Sequence, residues 1–155
     1  MADITVQYTL TTPGPYIVYN AGCPGDGTNI YYITNIQGLD GAPIRAPIDN
    51  APQADGGLIH TFWKGPRHII IDGMFLIQST HVMNSIRLQR NTMESNLTAA
   101  LDSMYQVSGT LAWTPAGGGA HSITVYNDVP VVYDYADNFL SKTFAFGLVS
   151  ASSSL

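Results

Sequence analysis

Four histidines, one cysteine, one glutamate and ten aspartates are the side chains from which this chain of 155 residues can build chemistry. The histidines are His60, His68, His81 and His121. None stands in a His-x-x-x-His or other compact ligand spacing, so a zinc site has no nucleus. His60 and His68 can approach on paired strands, but two further ligands and a supporting shell are missing. Structural or surface histidines are the stronger reading. Cys23, alone in the chain, excludes an intrachain disulfide. No basic residue stands near it in sequence to activate its thiol, so it reads as a small residue of a glycine-rich loop. No Gly-x-Ser-x-Gly elbow, P-loop or dinucleotide fingerprint is present. Gly117-Gly118-Gly119 lacks a following helix and lysine, and reads as a turn. Glycosidases need two carboxylates. Here Glu94 stands alone on a predicted helix, and Asp26, Asp40, Asp49, Asp55, Asp128 and Asp137 fall in turn-like sequence, where Asp bonds nearby backbone. Asn96-Leu97-Thr98 matches a glycosylation sequon by chance on that helix. The chain is expected to have no catalytic residue, no metal and no cofactor, and not to be an enzyme.

The elements that carry these residues are mostly strands. Ile4, Val6, Tyr8 and Leu10 alternate with polar residues and predict a half-buried strand that ends at Thr12-Pro13-Gly14-Pro15. Tyr16–Tyr19 and Asn29–Ile36 predict two more. Gly38–Gly57 holds Pro43, Pro47 and Pro52, which cannot donate ladder hydrogen bonds, so regular sheet is not expected there. A connection of this length reads as an extended arm lying on something, or equally as a surface loop. Leu58–Lys64 and Arg67–Gln78 predict strands. In the second, Ile69-Ile70-Ile71 and Met74-Phe75-Leu76-Ile77 flank Asp72-Gly73. This predicts a central strand covered on both faces, with Gly73 a bulge or a close backbone approach. A hairpin turning at Asp72-Gly73 is the rival reading.

Asn84–Met104 is the one convincing helix. Ile86, Met93, Leu97, Ala100, Leu101 and Met104 form its apolar stripe, with Arg87, Arg90, Glu94 and Asp102 on other faces. Asn84 or Ser85 can cap it, and Arg90 can pair with Glu94 one turn on. Gly109–Pro115 and His121–Val125 predict a hairpin around the glycine turn. In Val129–Tyr133, Pro130 favours an edge or a bend, and Leu140–Val149 predicts the last strand. Residues 151–155 read as a flexible C-terminal tail.

One domain over residues 1–150 follows from the length, with no repeat or linker. Charged residues make up 11% of the chain, against about 25% in typical soluble domains. Apolar residues make up 45%, which argues against disorder. Low charge with normal apolar content suggests a surface partly covered by neighbours. The net charge of −5 and only six Lys and Arg argue against sequence-independent nucleic-acid binding. The N-terminus lacks a basic start and apolar run, and no stretch reaches the roughly 18 apolar residues of a membrane span, so a cytoplasmic soluble product is expected.

Gly41-Ala42-Pro43-x-Arg45, Asp55-Gly56-Gly57, Arg67-x-Ile69-x-Ile71-x-Gly73, the helix, Ser108-Gly109-Thr110-Leu111-Ala112-Trp113-Thr114-Pro115, Asn127-x-x-Pro130 and Phe144-x-Phe146-Gly147-Leu148 occur in this order. Over residues 38–150 this order resembles the ring-forming domain of distal tail proteins from siphophages. The resemblance implies a mainly β fold with one amphipathic helix packed on a β-sandwich or barrel-like, ring-forming domain. It also implies a virion protein: a hexameric ring at the tail tip that joins the tail tube to the baseplate hub, with DNA passing through the lumen. Partners would be other copies of the chain, the tail tube protein and hub or tape-measure-associated proteins. Assembly would occur in the host cytoplasm. Many members add a galectin-like domain that holds receptor-binding parts; a chain of 155 residues is expected to lack it, so the ring and adaptor role carries over and a direct host-receptor role is left open. Candidate assembly-arm residues are Pro43, Arg45, Pro47 and Asp55, and candidate backbone-fit positions are Gly56, Gly57 and Gly73. A carbohydrate-binding β-sandwich, with Trp63 or Trp113 and the tyrosines as stacking platforms, is the alternative of a different class.

Overall fold

A computed structural model of the chain describes residues 5–23, 29–40, 44–45, 48–50, 57–59, 63–77, 83–134 and 141–150. The strands are β1 (Tyr8–Thr11), β2 (Ile17–Tyr19), β3 (Ile30–Gln37), β4 (Ile44–Arg45), β5 (Ile48–Asn50), β6 (Gly57–Ile59), β7 (Trp63–Lys64), β8 (Arg67–Leu76), β9 (Gly109–Trp113), β10 (His121–Asp134) and β11 (Ser141–Ser150). The helix α1 spans Met83–Asp102. Seven strands close into one barrel in the order β1–β2–β3–β8–β11–β10–β9, with β9 returning to β1. This is a closed sheet rather than two stacked ones, and closure leaves no flank of the barrel sheet open as a whole.

Alternation decides which side chains fill the barrel. Along β8 the residues from Arg67 to Leu76 are in turn buried and more exposed, so Ile69, Ile71 and Phe75 point in. They meet Phe144, Phe146 and Leu148 of β11 and Tyr31 and Ile33 of β3 in one core. Four of these rings lock at its centre: Phe75 lies 5.2 Å from Phe144 and 5.6 Å from Tyr31, and Phe144 lies 6.1 Å from Phe146. β8 is central, between β3 and β11. It runs without a turn through Asp72-Gly73, which removes the hairpin alternative. The expectation that both its faces are covered is corrected, because Ile70 is 47% exposed on the outer face. An Ile-Ile-Ile run reads alike for two-sided burial and for an apolar outer surface.

The helix stripe is buried as its spacing predicts: Ile86, Met93, Leu97, Ala100, Leu101 and Met104 all belong to the core. Tyr31 Oη donates to the Met93 carbonyl at 2.8 Å, and Asn127 Nδ2 to the Leu101 carbonyl at 3.3 Å, so β3 and β10 both hold the helix. The proposed caps Asn84 and Ser85 sit inside the first turn, and their side chains lie outside the described part. The expected Arg90–Glu94 pair is replaced. Glu94 instead accepts from Lys142 Nζ of β11 at 2.5 Å, with the lysine side chain only 5% exposed. Burial of Lys142 in the barrel requires a carboxylate there, and the helix supplies it.

β2 and β3 form the one parallel pair of the barrel, joined at Tyr19↔Tyr31. Asn20, in the left-handed conformation with φ 62°, reinforces this short seam. Its amide donates to the Val6 carbonyl at 2.9 Å, and its oxygen accepts from the Ile33 N–H at 2.7 Å. The β9–β10 hairpin forms as predicted, with His121 opposite Trp113. β10 then continues through Asn127-Asp128 as one strand, where the sequence suggests a break. Register shifts on either side of Val129 absorb the irregularity. Beyond Val125, β10 has left β9 and pairs with β11 alone, which gives Pro130 the edge position it needs.

Candidate assembly interface

Among the described residues, titratable side chains meet in a few places. His68 Nδ1 lies 3.1 Å from Asp128 Oδ2 on the outer wall of the barrel, with both side chains well exposed. Asp128 thus lies in β10 rather than in a turn. His121 stacks on Trp113 at 5.4 Å, and Tyr8 stands 6.3 Å from the same indole, so Trp113 is not an open sugar platform. Cys23 is buried. Among the described residues, no three His, Cys, Asp or Glu lie close enough to hold a metal ion. His60, His81, Asp26 and Asp137 lie outside the described residues. Lys142, Glu94 and Tyr133 form a cross-brace rather than a site. Lys142 Nζ lies 5.0 Å from the Tyr133 ring centre, while Tyr133 Oη donates to the Glu94 carbonyl at 3.0 Å and bonds Thr98 Oγ1 at 2.7 Å. A half-open cleft of about 490 Å³ lies between the helix and the β1–β3 end, lined by Tyr16, Cys23, Leu88 and Met93 among others.

A side chain at Gly73 would have no room. Phe144 faces it across the ladder, and its ring occupies the space where a Cβ would project. The same Cβ would stand 2.6 Å from the Tyr32 carbonyl oxygen. Gly73 is not among the glycines with positive φ, so the need is for space rather than for a left-handed backbone. The bulge expected near it belongs to β3, where the register shifts between Ile33 and Asn35. Asp72 accepts a 3.4 Å hydrogen bond from the Asn35 amide and is half-buried, which relieves the cost its apolar neighbours suggest.

Where the arm is predicted, the described residues form two short ladders. Between β3 and β8, β4 pairs with β7 through Ile44↔Lys64 and Arg45↔Trp63, and β5 with β6 through Ile48↔Ile59, Asp49↔Leu58 and Asn50↔Gly57. The expectation of no regular sheet is corrected, because the prolines fall outside these short ladders. Each ladder is two strands wide and separate from the barrel sheet. Arg45 is placed in β4 and Gly57 at the start of β6. Pro43, Pro47, Asp55 and Gly56 lie outside the described residues. Sequence reasoning passed over the outer wall of the barrel, where Ile70, Val129 and Val132 are exposed. The Val129-Pro130-Val131-Val132 run was the available signal.

No protein-family model and no curated protein matches the sequence. Among solved structures, the crystal structure of SPP1 Dit (gp 19.1) matches with a TM-score of 0.59 and 10% sequence identity. The fold is Dit-like. The match covers 94% of this chain and 50% of SPP1 Dit, so the chain spans half the length of that protein. SPP1 Dit is described as a paradigm of the hub adsorption apparatus in phages that infect Gram-positive bacteria.

Proposed function

We infer that this protein is a structural part of a bacteriophage tail, a subunit of a ring at the tail tip that joins the tail tube to the baseplate hub. The observation that carries this reading is the likeness to SPP1 Dit over 94% of the chain. Motifs from Gly41 to Leu148 in the order of distal tail proteins support it. So does the ribbon arm, since a lone two-stranded ribbon is marginal in water and gains stability against a surface. The proposal includes six-fold closure, neighbours in the tail tube and the hub or tape-measure-associated proteins, and an arm contact through Pro43, Arg45, Pro47 and Asp55. A head-to-tail contact repeated by rotation closes into such a ring. DNA passes through its lumen without being held, in keeping with a net charge of −5. Activity on a substrate has no place in this reading. Cryo-electron microscopy of the phage particle tests it. The barrel is expected in a symmetric ring at the distal end of the tail; density for it in the capsid alone contradicts the proposal.

A further inference from the structure

Two cations of the barrel are buried among the described residues, Arg67 and Lys142, and the fold treats them differently. Lys142 has the Glu94 carboxylate as its counter-charge. Arg67 has none among the described residues. It opens β8 directly opposite Ser150, the last residue of β11, so it stands at one end of the barrel. Alternation along β8 turns its side chain to the inner face with Ile69 and Ile71, and the residue is 2% exposed. A guanidinium carries five N–H donors and is never deprotonated in a protein. Among the described residues this one makes a single side-chain hydrogen bond, from Nη1 to the Leu39 carbonyl at a long 3.4 Å. Nε is buried with no partner. Glu94 and Asp128 are engaged by Lys142 and His68, and Asp40, next along the chain from Leu39, is exposed.

We propose that the Nε–Nη2 edge of Arg67 is a receptor for one carboxylate that this chain does not itself supply. A buried charge without a counter-charge is costly, and arginine cannot shed its proton to escape that cost as lysine or histidine can. With Nη1 turned to Leu39, Nε and Nη2 remain as a pair of parallel donors, the fork that matches the two oxygens of a carboxylate. Charge balance selects the class. One guanidinium neutralises one carboxylate, whereas a phosphate dianion would bring a second negative charge into the barrel end. Lys142 cannot balance it, because it is paired with Glu94 and lies opposite Phe75, towards the far end of β8. An Asp or Glu side chain of a protein packed on this end of the barrel and a free small carboxylate present the same two oxygens. The site does not depend on the ring reading.

Thermal unfolding of the purified full chain at neutral pH, with about 0.2 M sodium acetate in place of the same concentration of sodium chloride, tests the site. The unmodified chain is expected to melt about 4 °C or more higher in acetate, the shift that a dissociation constant of roughly 10 mM produces. Arg67→Met, similar in length and uncharged, is expected to fold and to lose that shift. Should it melt too early to be read, Arg67→Lys, which keeps the charge without the fork, carries the same test and is expected to lose at least about half of the shift. A shift of equal size in the unmodified chain and the variants overturns the proposal, and so does an unmodified chain that does not respond to acetate. Cryo-electron microscopy of the phage particle separates the two sources. Density on the Arg67 fork that is continuous with an Asp or Glu of a neighbouring chain assigns the site to a protein carboxylate, and isolated density assigns it to a free one. A fork occupied by a carboxylate of the same chain overturns the proposal. A tail without this chain overturns the ring reading and leaves the acetate test as it stands.

Discussion

The barrel and the arm are built from one chain under opposite constraints. In the barrel, seven strands share hydrogen bonds around a closed circuit, and one face of each feeds a continuous core. In the arm, β4 with β7 and β5 with β6 are ladders two strands wide, separate from the barrel sheet. Closure lets the barrel supply its own stability. A two-stranded ladder on its own is marginally stable in water. Under the ring reading, substitutions in the two regions should fail in different ways, in the barrel by loss of stability and in the arm by loss of assembly.

The largest loss of stability is expected at Gly73→Val. The new side chain would meet the Phe144 ring and the Tyr32 carbonyl, and backbone cannot yield as a flexible side chain does. A cost of at least about 3 kcal/mol by chemical denaturation is expected. Leu97→Ala follows. Leu97 is fully buried in the helix stripe, and cavity formation should cost about 2–5 kcal/mol. Glu94→Gln comes next. A helix-surface reading alone gives a small effect, but the structure makes Glu94 the counter-charge of a lysine that is 5% exposed. Leaving that ammonium beside a neutral amide should cost about 1–3 kcal/mol, below the full buried-pair penalty because the Glu94 side chain keeps 22% exposure.

The smallest effect among barrel residues is expected at Tyr19→Phe. The Tyr19 hydroxyl is buried and has no hydrogen-bond partner, so its removal should change stability by less than about 1 kcal/mol at neutral pH. Burial, then the nearby Tyr31 and Tyr133, raises its pKa well above 10.0. The folded protein therefore holds the proton that the unfolded chain releases. Stability from this group is complete below the unfolded pKa and declines as pH rises above about 10. The Tyr19→Phe variant should lack that alkaline slope, as pH-dependent melting would reveal; an unchanged slope would assign it to other groups.

Local patterns made part of this molecule legible in its sequence. The spacing of Ile86, Met93, Leu97 and Leu101 predicted the helix and its buried side, because helical periodicity is local. The hairpin around Gly117–Gly119 was legible for the same reason. Barrel closure was not, since the pairing of Tyr8 with Trp113 joins distant segments whose apolar alternation does not name a partner. The Glu94–Lys142 pair was hidden likewise, and Arg90 looked the better partner only because it is nearer in sequence. Asn20 gave little signal, as one left-handed residue at a strand end resembles any turn asparagine. The prolines near β4 and β5 counted against sheet, yet ladders of two or three residues fit between them. The outer wall of the barrel was hidden too, because Ile70 and Val132 look like core until the barrel turns them outward.

The most direct test of the separation between barrel and arm is native mass spectrometry of the full chain beside the chain with residues 46–62 replaced by Asn-Gly. The account predicts a closed multimer for the first and a monomer for the second, with thermal unfolding of the shortened chain still cooperative. Equal multimers from both chains would contradict it.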